Sequence, residues 1–139
     1  MALKAILDTR FYFSYYNPEN EKINAWSKRL IQKISRRELK ATSSVITIIE
    51  FYGTMGRIVG VEAVDTRIAS LKALGIAFIP VTEEIAQAAG KIALSTARIP
   101  LADAIIAATA LLHAEGIVVT DDEHFKLIRG VKAEWSKEI

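Results

Sequence analysis

The chain has 139 residues, enough for one compact domain, and its 51% apolar and 24% charged residues are typical of a globular protein. The net charge of +2 does not by itself indicate a nucleic-acid partner. The lack of cysteine excludes disulfide scaffolds, thiolate zinc sites and cysteine nucleophiles, and with only two histidines any metal here would be bound mainly by oxygen.

The first half of the chain predicts two strands and three helices. The strands are short apolar runs, and the helices are segments in which apolar residues recur every three or four positions. A turn signal, Asn17-Pro18, precedes the first helix, and Gly60 separates the other two. In chain order, the predicted elements are a strand at residues 3–7, a helix at about 19–38, a strand at 40–42, a helix from a cap at Ser43 or Ser44 to about Val59, and a helix at about 61–74.

The second half continues the alternation. Gly75 suits the left-handed conformation that ends a helix, and Pro100 suits a first helical turn. In chain order, the predicted elements are a strand at residues 76–81, a helix from Thr82 to about Thr96, a helix from Pro100 to Gly116, a strand at 117–120 and a short strand near 131–134. This alternation predicts an α/β fold, a three-layer α/β/α sandwich around a mainly parallel sheet, as a single domain over residues 1–139.

Three acidic residues occur in apolar surroundings. Asp8 follows the first predicted strand, Glu50 lies within Ile-Ile-Glu-Phe, and Asp103 lies within Leu-Ala-Asp-Ala-Ile-Ile. A buried carboxylate without a partner is strongly destabilising, so a chain keeps one only where something compensates its charge. Three such acids indicate a shared compensator.

The predicted elements bring these acids towards one another. Asp8 and Asp122 each follow a strand, and ligands of open α/β sheets bind at the carboxyl ends of the strands. Asp103 lies in the first turn of its helix, where a negative charge is favoured, and Glu50 lies about two turns into its own helix. Two carboxylates about 4 Å apart repel by roughly 4 kcal/mol at an effective dielectric constant of 20. Four converging acids therefore predict a site for a hard divalent ion, Mg²⁺ or Mn²⁺.

Four segments carry these acids in a fixed order: Ile-Leu-Asp-Thr with Asp8, Ile-Ile-Glu-Phe with Glu50, Leu-Ala-Asp-Ala-Ile-Ile-Ala-Ala-Thr-Ala with Asp103, and Thr-Asp-Asp-Glu-His-Phe with Asp122. The pattern resembles the PIN-domain ribonucleases, and specifically the VapC-type toxins of toxin–antitoxin pairs, over essentially the whole chain. The third segment is the most specific of the four. The last is similar to the Thr-x-Asp-x-x-Phe motif of that family.

The resemblance implies cleavage of single-stranded RNA with Mg²⁺ or Mn²⁺, giving products with a 5′-phosphate and a 3′-hydroxyl. It implies metal-ligand roles for Asp8, Asp103 and Asp122, while Glu50 either binds a metal or orients the attacking water. Supporting roles fall to Thr9, Thr120 and Asp121. In relatives the place of Asp121 is often neutral or basic, so this residue either assists the site or only adds charge at its rim.

The resemblance also implies partners. A small antitoxin would cover the site, and two copies of the chain would form a homodimer, for which the apolar helix at about 44–59 and its successor are the predicted surface. The N-terminal apolar run is too short for a signal peptide, and no stretch is long enough to span a bilayer, so we expect a cytoplasmic protein with no membrane contact.

Two other functions remain open at this point. One is a PIN-type module that binds RNA or protein without catalysis, although the complete set of acids argues against it. The other is a phosphoryl-transfer domain with Asp8 as nucleophile, but Arg10 stands where one such class has an acid. Among the remaining residues, we interpret His124 as a surface loop residue and the aromatic residues from Tyr12 to Tyr16 as part of a core or interface.

Overall fold

The computed structural model describes residues 3–137, so the predicted domain limits at residues 1 and 139 lie outside the described part. Within that part the chain forms five β-strands, seven α-helices and one short 3₁₀ helix. In chain order these are β1 (Leu3–Leu7), α1 (Thr9–Tyr16), α2 (Glu21–Ser35), β2 (Leu39–Ser44), α3 (Ile46–Thr54), α4 (Gly56–Val59), α5 (Val61–Ala73), β3 (Ala77–Ile79), α6 (Glu83–Ser95), α7 (Leu101–His113), β4 (Ile117–Val119), the 3₁₀ helix (Glu123–Leu127) and β5 (Lys132–Glu134).

The strands form one sheet in the order β3-β2-β1-β4-β5, and every pairing between them is parallel. The predicted three-layer α/β/α sandwich around a parallel sheet is therefore confirmed. The chain order reverses direction between β1 and β4, where Leu7 pairs with Val119. This pair of strands is the topological switch point, at whose carboxyl edge ligands of open α/β sheets bind.

Alternation along β1 divides the interior into two cores. Ala5 and Leu7 face an aromatic core that includes Trp26 and Phe51 and is covered by α1, α2, α3 and α5. Ile6 faces the opposite way, into a core covered by α6 and α7. The buried face of α7 consists largely of alanines, so its backbone can approach the sheet closely and bring the start of the helix to the carboxyl edge.

One helix, α1, was not predicted from the sequence. Its eight residues, Thr9–Tyr16, are rich in aromatic side chains, which have modest helix propensity and show no clear apolar period. Phe11 and Tyr12 are fully buried, and their rings pack edge-to-face. Tertiary packing therefore forms this helix where local propensity does not.

The boundary between β2 and α3 also differs from its prediction. Ser43 and Ser44 complete β2, and the helix begins at Ile46. The Ser44 hydroxyl still accepts from the Ile46 backbone N–H at 3.2 Å, as a capping side chain does. The Ser43 hydroxyl donates a hydrogen bond to the carbonyl oxygen of Leu7 at 2.8 Å, across to the neighbouring strand. Ser43 and Ser44 also pair in register with Phe78 and Ile79 of β3, which extends β2 by two residues. Because β2 ends at the carboxyl edge, α3 with Glu50 begins at the same edge as Asp8.

Candidate active site

Asp8 is the first residue after β1, at the switch point of the sheet. It is the N-cap residue of α1, and its backbone N–H donates to the carbonyl oxygen of Val119 at 3.2 Å. Its side chain does not cap the helix and is buried, with 3% of the residue exposed. The Thr120 hydroxyl donates to Asp8 Oδ2 at 2.8 Å, because Thr120 follows the adjacent strand β4. Thr120, predicted to support the site, therefore contacts its central acid.

The environment of Asp8 disfavours its charge. The pKa of Asp8 is raised from the ordinary 3.8 to about 7, chiefly by burial and in smaller part by the charges of Asp103 and Glu50, while the hydrogen bond from Thr120 acts in the opposite direction. The electrostatic effect of Asp103 and Glu50 on this carboxyl indicates that acids from three separate elements lie close together.

Glu50 reaches the site from α3 and is held by the first turn of α1. The Thr9 hydroxyl donates to Glu50 Oε1 at 2.7 Å. Thr47, one turn before Glu50 on α3, is fully buried, and its hydroxyl lies 3.4 Å from that of Thr9. Because Thr9 directly follows Asp8, one turn of chain holds two of the predicted acids in a defined relation.

Asp103 lies in the first turn of α7, as predicted, and its carboxyl has an unsatisfied oxygen. Oδ2 is buried and makes no hydrogen bond to any of the described residues. His124 Nδ1 lies 3.4 Å from Oδ2, which is long for a hydrogen bond, so this contact is mainly electrostatic. Burial raises the pKa of Asp103 to about 6, and the charge of Asp122 adds to the shift. A buried carboxylate oxygen without a donor has room to accept a bond from a bound water or to ligate a cation.

Asp122 lies at the start of the 3₁₀ helix and faces Asp103. Its Oδ1 accepts a hydrogen bond from the backbone N–H of His124 at 3.0 Å and lies 2.9 Å from His124 Nδ1. The backbone N–H of Asp122 donates to the Thr120 hydroxyl at 3.0 Å. One ligand atom from each of Asp103, Asp122 and His124 lies within 4.8 Å of the others.

His124 is a residue that the sequence interpretation missed. It was read as a surface loop residue, and its side chain is indeed 47% exposed, yet Nδ1 points at two acids of the site. The available signal was its position two residues after Asp122, which places both at the start of the same 3₁₀ helix.

Arg10 was also missed, and it accounts for Asp121. The guanidinium forms a two-pronged ion pair with the Asp121 carboxylate, Nε to Oδ1 at 2.7 Å and Nη2 to Oδ2 at 3.0 Å. These residues are 111 positions apart in the chain, so no local pattern connects them. The charge of Asp121 is thus paired at the rim and not free within the acidic cluster.

All four predicted acids line one cleft with a volume of about 620 Å³. The cleft opens at the carboxyl edge of the sheet and continues along α1 past Arg10 to Phe13 and Asn17. The donor set fits a hard divalent ion, since it consists of carboxylate oxygens, one of them buried and unsatisfied, and a single imidazole nitrogen.

The PIN-domain family model matches residues 5–131, so the chain belongs to the PIN-domain family, a family of nucleases. Comparison with the sequences of curated proteins gives no significant match. No helix within residues 3–137 has the length and apolar character needed to cross a membrane.

Solved structures similar to this chain include toxins of VapBC pairs. VapBC2 from Rickettsia felis, bound to a promoter DNA fragment, has 17% identity and a TM-score of 0.73, with 96% of this chain and 98% of that chain covered. DNA-bound VapBC from Salmonella typhimurium has 22% identity and a TM-score of 0.72, with 97% and 99% covered. VapC20 from Mycobacterium tuberculosis, a sarcin-ricin loop cleaving toxin, has 17% identity and a TM-score of 0.70, with 88% and 92% covered. At these identities the likeness concerns the fold.

Proposed function

We propose that this protein is a divalent-metal-dependent ribonuclease that hydrolyses phosphodiester bonds of single-stranded RNA. The observation that carries the proposal is the convergence of Asp8, Glu50, Asp103 and Asp122 in one cleft at the switch point of a PIN-domain sheet. The raised pKa values of Asp8 and Asp103 support it, because carboxyls held together in this way need a cation to stay ionised.

The four acids have different roles in this proposal. Asp8, Asp103 and Asp122 would hold Mg²⁺ or Mn²⁺, directly or through water. Such ions, when bound, lower the pKa of a water molecule and neutralise charge on the scissile phosphate. Thr120 supports the arrangement, because its hydroxyl contacts the Asp8 carboxylate and the Asp122 backbone.

Glu50 differs in that its carboxylate is fixed by a protein hydroxyl. Thr9 binds Oε1, which leaves Oε2 to accept a proton from the attacking water or to contribute to metal binding. Attack by water, without participation of the ribose 2′-hydroxyl, gives products with a 5′-phosphate and a 3′-hydroxyl. These ends distinguish the proposed reaction from metal-free RNA cleavage.

We further propose that the chain, as a single PIN domain, is the toxin of a toxin–antitoxin pair that acts in the cytoplasm. The likeness to toxins of VapBC pairs supports this role. The partner would be a small antitoxin that covers the acidic cleft. When a short reading frame adjacent to the gene is co-expressed, its product should co-purify with the protein and abolish RNA cleavage. A neighbouring product that neither binds the protein nor inhibits it would contradict the toxin role.

The proposed homodimer would use the apolar surface of α3, α4 and α5. Ile49, Ile58 and Val61 are exposed there, with Ile58 at 69%. Apolar side chains grouped in this way mark interaction surfaces. Light scattering should give the mass of two chains for the wild-type protein and of one chain for Ile58→Glu, and a monomeric wild-type protein would contradict the proposal.

The ribonuclease proposal is tested by cleavage of a fluorescent single-stranded RNA in Mg²⁺, in Mn²⁺ and in excess chelator. We expect cleavage with either or both metals, no cleavage in chelator, and 5′-phosphate ends on the products. Asp8→Asn and Asp103→Asn should each abolish cleavage while the circular dichroism spectrum and cooperative unfolding are retained.

Glu84→Gln on α6 is the control, because it makes the same carboxylate-to-amide change at an exposed residue outside the cleft and outside the proposed dimer surface. It should cleave RNA at the wild-type rate. Full activity in excess chelator would contradict the proposed function, and absence of cleavage with both metals would favour a PIN-type binding module.

A further inference from the structure

The ion pair between Arg10 and Asp121 lies at the mouth of the acidic cleft. Both side chains line the cleft, and the Arg10 side chain is 60% exposed whereas that of Asp121 is 27% exposed. Exposed ion pairs add little to stability, typically under about 1 kcal/mol. The two-pronged geometry, however, restricts the guanidinium to one orientation beside the acids. The ion pair therefore contributes more to the position of the Arg10 guanidinium than to the stability of the fold.

The charge balance of the cleft explains why a guanidinium at its mouth would help RNA to bind. Six carboxylates line the cleft, and Arg10 is the only lysine or arginine among the described residues that line it. An RNA strand carries a negative charge at every phosphate, so the acids repel it wherever a metal ion does not neutralise them. A fixed cation at the mouth compensates this repulsion for a phosphate outside the metal centre.

Arg10 has donors available for such a phosphate. A guanidinium offers five N–H groups, and Nε and Nη2 each direct one to Asp121. Nη1 and the second hydrogen of Nη2 form an edge on which a phosphate can be bound by two parallel hydrogen bonds. Arg10 also lies along the cleft between Asp8 and Phe13, on the path that a strand leaving the acids would follow.

We propose that Arg10 binds a backbone phosphate of the RNA substrate next to the scissile one, and that Asp121 is the positioning residue that orients its guanidinium. The inference rests on the proposed ribonuclease function and adds the element that places the strand in the site. Asp121 then acts through Arg10, which decides between the two roles left open for it by the sequence.

Steady-state cleavage of single-stranded RNA by Arg10→Gln, Asp121→Asn and the double variant tests the proposal. Arg10→Gln should raise KM about tenfold, the loss expected for a charged hydrogen-bonded contact, and should lower the dependence of log KM on log salt concentration by about 0.7, as for one phosphate. Arg10→Lys should restore only part of the loss, because an ammonium lacks the planar fork. Lys91→Gln, at an exposed position on α6, is the control and should keep both wild-type values.

Asp121→Asn distinguishes the positioning of the Arg10 guanidinium by Asp121 from a simple effect of the Asp121 charge on RNA binding. It removes a negative charge near the RNA, so KM should not rise, but the misoriented guanidinium should lower kcat about fivefold. In the Arg10→Gln background Asp121→Asn should leave kcat unchanged. An Arg10→Gln KM within twofold of wild type, or an effect of Asp121→Asn that is the same in both backgrounds, would overturn the proposal.

A purely structural role of the ion pair is distinguished by metal binding without RNA. If the pair only clamps Asp8 against Asp122, both Arg10→Gln and Asp121→Asn should weaken Mn²⁺ binding in calorimetry. The proposal instead predicts that Arg10→Gln binds Mn²⁺ at least as tightly as wild type, since it removes a repelling charge. If the wild-type protein cleaves no RNA, the ribonuclease function fails, and anisotropy of labelled RNA with Mn²⁺ then decides the role of Arg10 by binding alone.

Discussion

The acidic cluster has two halves that are stabilised in different ways. In the hydroxyl-held half, Thr120 donates to Asp8 and Thr9 donates to Glu50, at 2.8 and 2.7 Å. In the open half, formed by Asp103, Asp122 and His124, a buried oxygen of Asp103 has no hydrogen-bond partner. Protein hydroxyls hold both acids of the first half; in the second half His124 holds Asp122, while Oδ2 of Asp103 has no donor among the described residues.

This difference indicates how the site keeps its carboxylates ordered although they repel one another. Short hydroxyl contacts from neighbouring chain segments hold two carboxylates without adding positive charge, so their electrostatic need for a metal persists. The open half places one potential ligand atom from each of Asp103, Asp122 and His124 within 4.8 Å of the others, and only the buried oxygen of Asp103 lacks a partner. We therefore expect the two halves to respond differently to pH, to metal removal and to substitution.

The largest expected effect is on the stability of the metal-free protein. The pKa of Asp8 is about 7 when folded and 3.8 ordinarily, so between these values the folded state binds more protons than the unfolded state. The free energy of unfolding should therefore fall as pH rises from about 4 to about 7, by up to about 4 kcal/mol from this group. Asp103, with a pKa of about 6, acts in the same direction.

Urea unfolding in chelator at several pH values measures this effect. Asp8→Asn should flatten the curve and be more stable than wild type at pH 7.5, while added Mn²⁺ should stabilise only the wild-type protein. An Asp8→Asn variant that is less stable than wild type at pH 7.5 in chelator would show that the ionised Asp8 carboxylate does not destabilise the metal-free fold.

The next effect is on metal affinity in the open half. Asp103→Asn keeps the size of the side chain but removes the charge of a proposed ligand, so Mn²⁺ binding should weaken by at least about 100-fold, more than is typical for a supporting residue. Isothermal titration calorimetry measures the Mn²⁺ affinity, with Glu84→Gln as the control. Retained affinity in Asp103→Asn would place the metal elsewhere.

Thr120→Val and Thr9→Val compare the two hydroxyls of the held half. Thr120 contacts both Asp8 and the Asp122 backbone, so its loss should weaken Mn²⁺ binding about tenfold. Thr9 contacts Glu50, so its loss should lower kcat about tenfold and leave Mn²⁺ affinity within twofold. If both variants weaken Mn²⁺ binding equally, Thr120 and Thr9 do not have the separate roles of supporting the metal ligands and orienting Glu50.

The smallest effect concerns His124 and the identity of the metal. An imidazole nitrogen is a better ligand for Mn²⁺ than for Mg²⁺, which prefers oxygen and water. His124→Gln should weaken Mn²⁺ binding about threefold and leave Mg²⁺ binding unchanged. Equal losses for the two metals would indicate that His124 orients Asp122 and does not bind the ion.

Much of this fold is predictable from local sequence because its central strands are short apolar runs buried on both faces and its long helices each bury one regular face. The apolar runs of β1 and β4, and the period of α2, specify elements that the parallel sheet then uses directly. The exceptions depend on distant contacts. Helix α1 forms because its aromatic rings pack into a core assembled by other elements, and Ser43 and Ser44 join β2 because they pair with Phe78 and Ile79 of β3.

The same division applies to the site. Asp8, Glu50 and Asp103 stand out because each is an acid among apolar residues, and strand-to-helix order explains why they meet. Arg10 gives no such signal, since an exposed arginine is ordinary and its partner Asp121 is far away in the chain. The unsatisfied oxygen of Asp103 is likewise a property of packing that no local pattern contains.

The most direct test of the central claim is anomalous diffraction from crystals of the protein soaked in MnCl₂, recorded near the manganese absorption edge. We expect an anomalous peak within coordination distance of Asp103 and Asp122, on the side that faces Asp8, and no such peak in Asp103→Asn crystals soaked in the same way. A fully occupied peak elsewhere, or none at this cluster in well-diffracting soaked crystals, would contradict a metal centre built from these four acids.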